Sequence, residues 1–175
     1  LEFNGNWLKP LPESRIYWER IERPHYERIW AIADAFRKGA SVEEIHEKSK
    51  IDPWFLNQIQ GLMKIEKEIV DTPWPFSTEF FKKVKTYGFS DFAIGKLKNI
   101  LTRQVRLARE GHNVYPTFHA VDTCAGEFQA KTPFWYSSYR GTKNESIPTN
   151  NPKKVMILGS GPNRIGQGIE FDYSC

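Results

Sequence analysis

Apolar residues recur at three- and four-residue steps along the chain as far as Gly111, and then the pattern stops. Ile29, Ile32, Ala33 and Phe36 make the first such face, the spacing of a half-buried helix, and predict helix from about Pro24. Gly39 should end it as a C′ glycine, the residue that tolerates a left-handed backbone. Ser41-Val42-Glu43-Glu44 reads as a capping box: the hydroxyl accepts from the Glu44 amide and Glu44 reaches back to the Ser41 amide. A short helix to about Lys48 follows. Asp52 as N-cap and Pro53 at N1 open the next, which Phe55, Leu56, Ile59, Leu62, Met63, Glu66 and Ile69 carry to about Val70. Thr72-Pro73-Trp74-Pro75 breaks it. Ser77 caps a helix that Gly88 ends, and Ser90 caps a short one to about Leu97. A last helix runs from near Ile100 to Glu110, closed by Gly111.

These signals repeat. Gly39-x-Ser41-x-x-x-Ile45 matches Gly88-x-Ser90-x-x-x-Ile94, and at the same offset Ile51 matches Ile100. The sequence predicts two similar helical hairpins packed together, or else a plain reuse of Gly and Ser turn chemistry. Residues 1–24, with Pro10, Pro12 and Pro24, read as an extended lead-in or the tail of a preceding domain. Beyond Gly111, Val114 to Phe118 and Phe134 to Tyr139 read as extended segments, and Arg140 to Lys153 as a polar linker. Lys154 to Leu158 reads as a buried strand with a Gly-rich loop behind it. The fold class expected is mainly α. A helical domain occupies 25–120, an extended linker 121–153, and the start of an incomplete α/β domain 154–175.

Composition narrows the function. Hydrophobic residues are 39% and charged residues 26%, which suits a water-soluble domain. No apolar run reaches the length of a membrane span, so no membrane partner is expected. The chain opens on Leu1 and closes on Ser174-Cys175, and it is expected to be a piece of something longer. Cys124 and Cys175 are too few for a disulfide framework and read as reduced thiols of a cytoplasmic protein. His25, His46, His112 and His119 lack metal-ligand spacing. The net charge is +4, densest from Arg103 to Arg109, and reads as a solvated surface.

The loop Gly159-Ser-Gly-Pro-Asn-Arg-Ile-Gly-Gln-Gly168 follows a predicted strand, the context of phosphate binding. Spacing removes the two familiar readings. A dinucleotide fingerprint needs glycine where Arg164 stands. A nucleotide-binding loop laid from Gly161 needs lysine at Gln167 and a hydroxyl at Gly168. Taken whole, however, Gly161 to Tyr173, "GPNRIGQGIEFDY", closely resembles the opening of the second synthetase half in the large subunit of carbamoyl-phosphate synthase. "VDTCAGEFQAKTPFWYSSY" (Val121 to Tyr139) is similar to the segment leading into it. "IWAIADAFRKGASVEEIHEKSKIDPWFL" (Ile29 to Leu56) resembles the start of that subunit's helical oligomerisation domain.

The resemblance implies a parent enzyme, a ligase that makes carbamoyl phosphate from bicarbonate, glutamine-derived ammonia and two ATP. Its cofactors are ATP and Mg, with Mn and K as further ions, and its product feeds arginine or pyrimidine biosynthesis. Two ATP-grasp halves are joined by the helical domain, and a glutaminase small subunit is the partner. This chain would be the joint plus the first strand and loop of the second half, with no catalytic, cofactor-binding or metal residue of its own, and inactive alone. By position, Arg164, Gly168 and Glu170 would line the internal tunnel that passes carbamate between the halves. A guanidinium can hold an anion, a carboxylate can balance it, and glycine leaves the way clear. Otherwise Arg164 and Glu170 simply pair with each other or with neighbours. Trp54 and Phe55 read either as core or as a homo-oligomer contact, where aromatics are enriched.

A rival reading is a helix-turn-helix nucleic-acid-binding module over Ser41 to Ile59. Its second helix begins Pro53-Trp54-Phe55-Leu56, with only Asn57 and Gln58 suited to bases and phosphates, so no nucleic-acid partner is expected. No nucleophile–base pair or paired carboxylates support a small self-contained enzyme.

Overall fold

The computed structural model describes residues 16, 18–129 and 131–156. Among the described residues there are seven helices: α1 (Trp18–Glu22), α2 (Arg28–Arg37), α3 (Val42–Ser49), α4 (Pro53–Asp71), α5 (Thr78–Thr86), α6 (Asp91–Lys98) and α7 (Thr102–Gly111). Two short strands follow, β1 (Thr117–Ala120) and β2 (Trp135–Ser138). The chain divides into two units between Glu145 and Ser146. All nine elements belong to the first, and the fold is mainly α, as expected.

The caps are where the sequence places them. Ser41 Oγ accepts from Glu44 N at 3.1 Å while the Glu44 carboxylate accepts from Ser41 N at 2.7 Å, a complete capping box. Ser77 and Ser90 accept from Phe80 N and Ala93 N, and Asp52 from Trp54 N. Gly39 and Gly88 have φ of 89° and 88°. After each, the chain closes a Schellman motif: Ala40 N donates to Ala35 O, and Phe89 N to Val84 O.

The repeat is real in three dimensions. At a constant offset of 49 residues (88 − 39), α3 superimposes in sequence on α6, both α4 and α7 begin at matching positions, and α2 and α5 end at matching positions. The short helix ends on a left-handed residue both times, Lys50 at φ 57° and Asn99 at φ 54°. Six pairs of core positions correspond and are buried in both copies: Ile32 and Phe81, Ala35 and Val84, Ala40 and Phe89, Ile45 and Ile94, Leu56 and Val105, Ile65 and Val114. Each repeat has its own core cluster. The long helix α4 belongs to both, with Leu56 in the first cluster and Ile65 and Ile69 in the second.

Several details differ from the sequence reading. The extended lead-in contains helix α1, whose Ile21 is fully buried in the first cluster. Arg28 holds that helix end, donating to Ile21 O at 2.7 Å and to Ser49 O at 2.7 Å. α2 starts at Arg28, because residues 26 and 27 form a turn. Its apolar face is broader than predicted: residues 31–35 are all buried, while Ile29 is exposed. Two clusters flank this helix, since Trp30 packs on the second and Ile32 on the first. Gly111 ends α7 without a left-handed turn; Asn113 supplies it at φ 55°.

β1 and β2 pair antiparallel, with Thr117 opposite Ser138 and Ala120 opposite Trp135. The two predicted extended segments are therefore the arms of one hairpin. Residues 154–156, the described start of the expected buried strand, are not in a strand, and Val155 and Met156 stand exposed. The remainder of that strand and the glycine loop lie outside the described residues.

Candidate functional site: the seat of the connector

The segment from Val114 to Glu145, here the connector, rests on the second repeat, where α5, α6 and α7 bring three ionised side chains together. Lys85 lies in the last turn of α5, Asp91 in the first turn of α6 and Arg109 in the last turn of α7. Each charge sits at the helix end that favours its sign. Arg109 grips both Asp91 oxygens, Nε at 3.0 and 3.1 Å and Nη2 at 2.9 Å. Lys85 Nζ donates to Asp91 Oδ1 at 3.0 Å. All three side chains are 10% exposed or less.

The triad reaches the connector at both ends. Arg109 Nη1 donates to Val114 O at 2.7 Å. Lys85 Nζ lies 5.1 Å from the centre of the Tyr139 ring, within cation–π range. Burial pushes the Asp91 carboxyl up, but hydrogen bonds from Arg109 and Lys85 outweigh it and hold the carboxyl below its ordinary range. The hydrogen bond to Asp91 raises the Arg109 guanidinium against burial. Burial raises the Tyr139 phenol, and the nearby Arg109 only partly offsets this.

The free edge of β1 is also occupied. Phe118 N donates to Asn144 Oδ1, Glu145 N to Phe118 O, and Ala120 N to the Glu145 carboxylate, all within 2.9 Å. That edge would otherwise be an open template for another strand. His119 ties Glu145 to this edge: Nδ1 is 3.3 Å from Glu145 and Nε2 is 2.7 Å from Thr117 Oγ1. The amide of Ala120 first, and then His119, lower the Glu145 carboxyl. Gly141 lies so close to His119 and Thr117 that any side chain there would collide with them. Between the strands, Ala125 and Gly126 both have positive φ in a turn closed by Glu127 N to Cys124 O.

The residues singled out from sequence lie elsewhere. Trp54 and Phe55 are 62% and 58% exposed on the first turn of α4 and meet edge to face at 4.9 Å. Neither is in a core cluster. Arg164, Gly168, Glu170 and Cys175 lie outside the described residues. Cys124 is a free, partly buried thiol. The four histidines are in four separate places: His25 accepts from Glu27 N, His46 bonds Ile51 O, His112 bonds Thr78 Oγ1, and His119 lies in β1 against Glu145. Among the described residues no group of three or more His, Cys, Asp or Glu could hold a metal, and no helix could cross a membrane. The triad was missed because Arg103 to Arg109 reads as one basic surface stretch. Superposing the sequence on itself at its own repeat would have exposed it, since the charges then fall opposite Phe36, Val42 and Gln60.

Comparison with known families decides what this chain belongs to. Residues 2–113 match the family described as carbamoyl-phosphate synthetase large chain, oligomerisation domain. The chain belongs to the carbamoyl-phosphate synthase large-chain family. Residues 151–175 match the description of that synthase's preATP-grasp domain. The carbamoyl phosphate synthase large chain of Thermotoga neapolitana is 47% identical over 156 residues, 89% of this chain and 14% of that relative. Those of Mycobacterium sp. strain JLS and Corynebacterium glutamicum are 44% and 41% identical, each over 98% of this chain and 16% of the relative. The chain thus spans about one seventh of the length of the relatives it matches.

Proposed function

We propose that this chain is the joint of a carbamoyl-phosphate synthase large subunit: a helical body that carries, through its connector, the opening of the second synthetase half. The observation that supports this most is order. An oligomerisation-domain match at 2–113 and a preATP-grasp match at 151–175 flank the connector. The parent is a glutamine-dependent ligase using two ATP, with Mg, Mn and K as its ions, a glutaminase small subunit as partner and the cytoplasm as its place. The joint itself is non-catalytic. Its chemistry is positional: it holds two active sites at a fixed separation so that carbamate passes between them.

In this reading Arg164, Gly168 and Glu170 line the passage, and Trp54 and Phe55 form part of a contact between copies. A pair of adjacent exposed aromatics suits such a contact, because it hides apolar area that water otherwise covers. Gly168→Trp in the parent enzyme should block the passage. The readout is carbamoyl phosphate formed per ATP consumed, expected to fall while each half still turns over ATP. An unchanged yield would remove the passage role, and carbamate-dependent ATP turnover by the purified chain alone would refute the non-catalytic reading.

A further inference from the structure

The two repeats share one backbone plan, so the second can be read against the first position by position. Lys85, Asp91 and Arg109 stand where the first repeat has Phe36, Val42 and Gln60. None of those three is charged. Val42 is buried and Phe36 packs against the first core cluster. Yet the first repeat makes the same serine cap, the same glycine turn, the same left-handed helix end and the same buried apolar positions. The helical plan does not require an ion cluster.

Stability does not call for one either. Taking charges out of water costs several kcal/mol per ion, and replacing a buried ion pair by packed apolar groups is often neutral or stabilising. What the second repeat has beside it, and the first does not, is the connector. Arg109 holds Val114 O at its start, and Lys85 faces the Tyr139 ring beyond β2. Thr86 Oγ1 lies 3.5 Å from Tyr139 O. The hairpin between these points is two-stranded, with Phe118, Trp135 and Tyr136 all exposed. Such a hairpin is at best marginally stable by itself.

We propose that Lys85, Asp91 and Arg109 are positioning residues: a clamp that fixes both ends of the connector on the second repeat, present for that purpose and not for the helical fold. This deepens the reading of the chain as a joint, because the clamp holds the connector that lies between the two matched domains. It explains why three charges occupy these positions in the second repeat, whereas the first repeat keeps them uncharged and buries its own ion pairs, Asp34–Lys38 and Arg37–Glu66, at other positions.

The test transplants the first repeat's residues: Lys85→Phe, Asp91→Val and Arg109→Gln together, in the 175-residue chain. Far-ultraviolet circular dichroism should show the helical content retained. Exchange of the amides of Ile94 and Val105 should stay as slow as before. The hydrogen-bonded amides of 117–121 should exchange roughly tenfold faster or more, as expected when a locally held segment opens. A second variant, Tyr139→Leu, leaves the ion cluster intact and should speed exchange of the same hairpin amides. Loss of the helices in the triple variant would make the cluster a fold requirement and overturn the proposal. Unchanged hairpin exchange in either variant, or a hairpin unprotected in the unaltered chain, would also overturn it. Both readouts are taken on the chain alone, so they stand or fall separately from the parent's coupling.

Discussion

Asp91→Ala is expected to destabilise the helical body by about 3–5 kcal/mol, the cost of breaking a buried pair and stranding the charge left behind. Here two cations would be stranded, Lys85 at 7% and Arg109 at 8% side-chain exposure. Glu110, 3.8 Å from Arg109 and 38% exposed, is too distant and too well solvated to take over. Urea denaturation at neutral pH measures the loss. The pH dependence supplies a second, independent sign. Asp91 has a folded pKa below its ordinary value of 3.8. Its contribution is therefore fully present above that value and is lost as pH falls through the lower folded one. Below about pH 4 the unaltered chain should lose stability more steeply than the variant. An Asp91→Ala chain as stable as the original, with the same acid limb, would show that the contacts around Asp91 are energetically idle.

Phe81→Ala should cost a similar 3–5 kcal/mol or so, by a different mechanism. The ring is fully buried at the centre of the second cluster. It meets Phe76 at 5.4 Å, Trp74 at 5.9 Å and His112 at 5.6 Å. Removing it leaves a cavity that these rigid rings cannot collapse to fill. The equivalent change in the first repeat, Ile32→Ala, removes a smaller side chain and falls within about 2–5 kcal/mol. Thermal unfolding of the two variants compares them directly. The larger drop is expected for Phe81→Ala, and the reverse order would mean that the first cluster dominates.

What could be read from the sequence was whatever is decided locally. A serine that accepts from an amide three residues on, or a glycine that must turn left, acts through atoms adjacent in the chain. Ser41, Ser77, Ser90, Asp52, Gly39 and Gly88 all do in the structure what they promised in sequence. The repeat was legible for the same reason. Helix α1 was not, because Trp18–Glu22 is only five residues long and is held by Arg28 from another element. Propensity carries no information about that contact. Trp54 and Phe55 show the same limit from the other side: helical spacing could not say which face of α4 would be covered. The charged seat of the connector joins residues from three helices and the loop beyond, so no single window of sequence contains it.

The proposed place of the chain as a joint is tested most directly in the parent large subunit, with residues 18–145 exchanged for a flexible Gly/Ser linker long enough to span the gap. The quantity measured is carbamoyl phosphate formed per ATP consumed. A joint that holds the halves in register predicts that ATP turnover continues in each half while this yield falls well below that of the intact enzyme. A yield equal to the intact enzyme's, with the helices and their clamped connector gone, would contradict it.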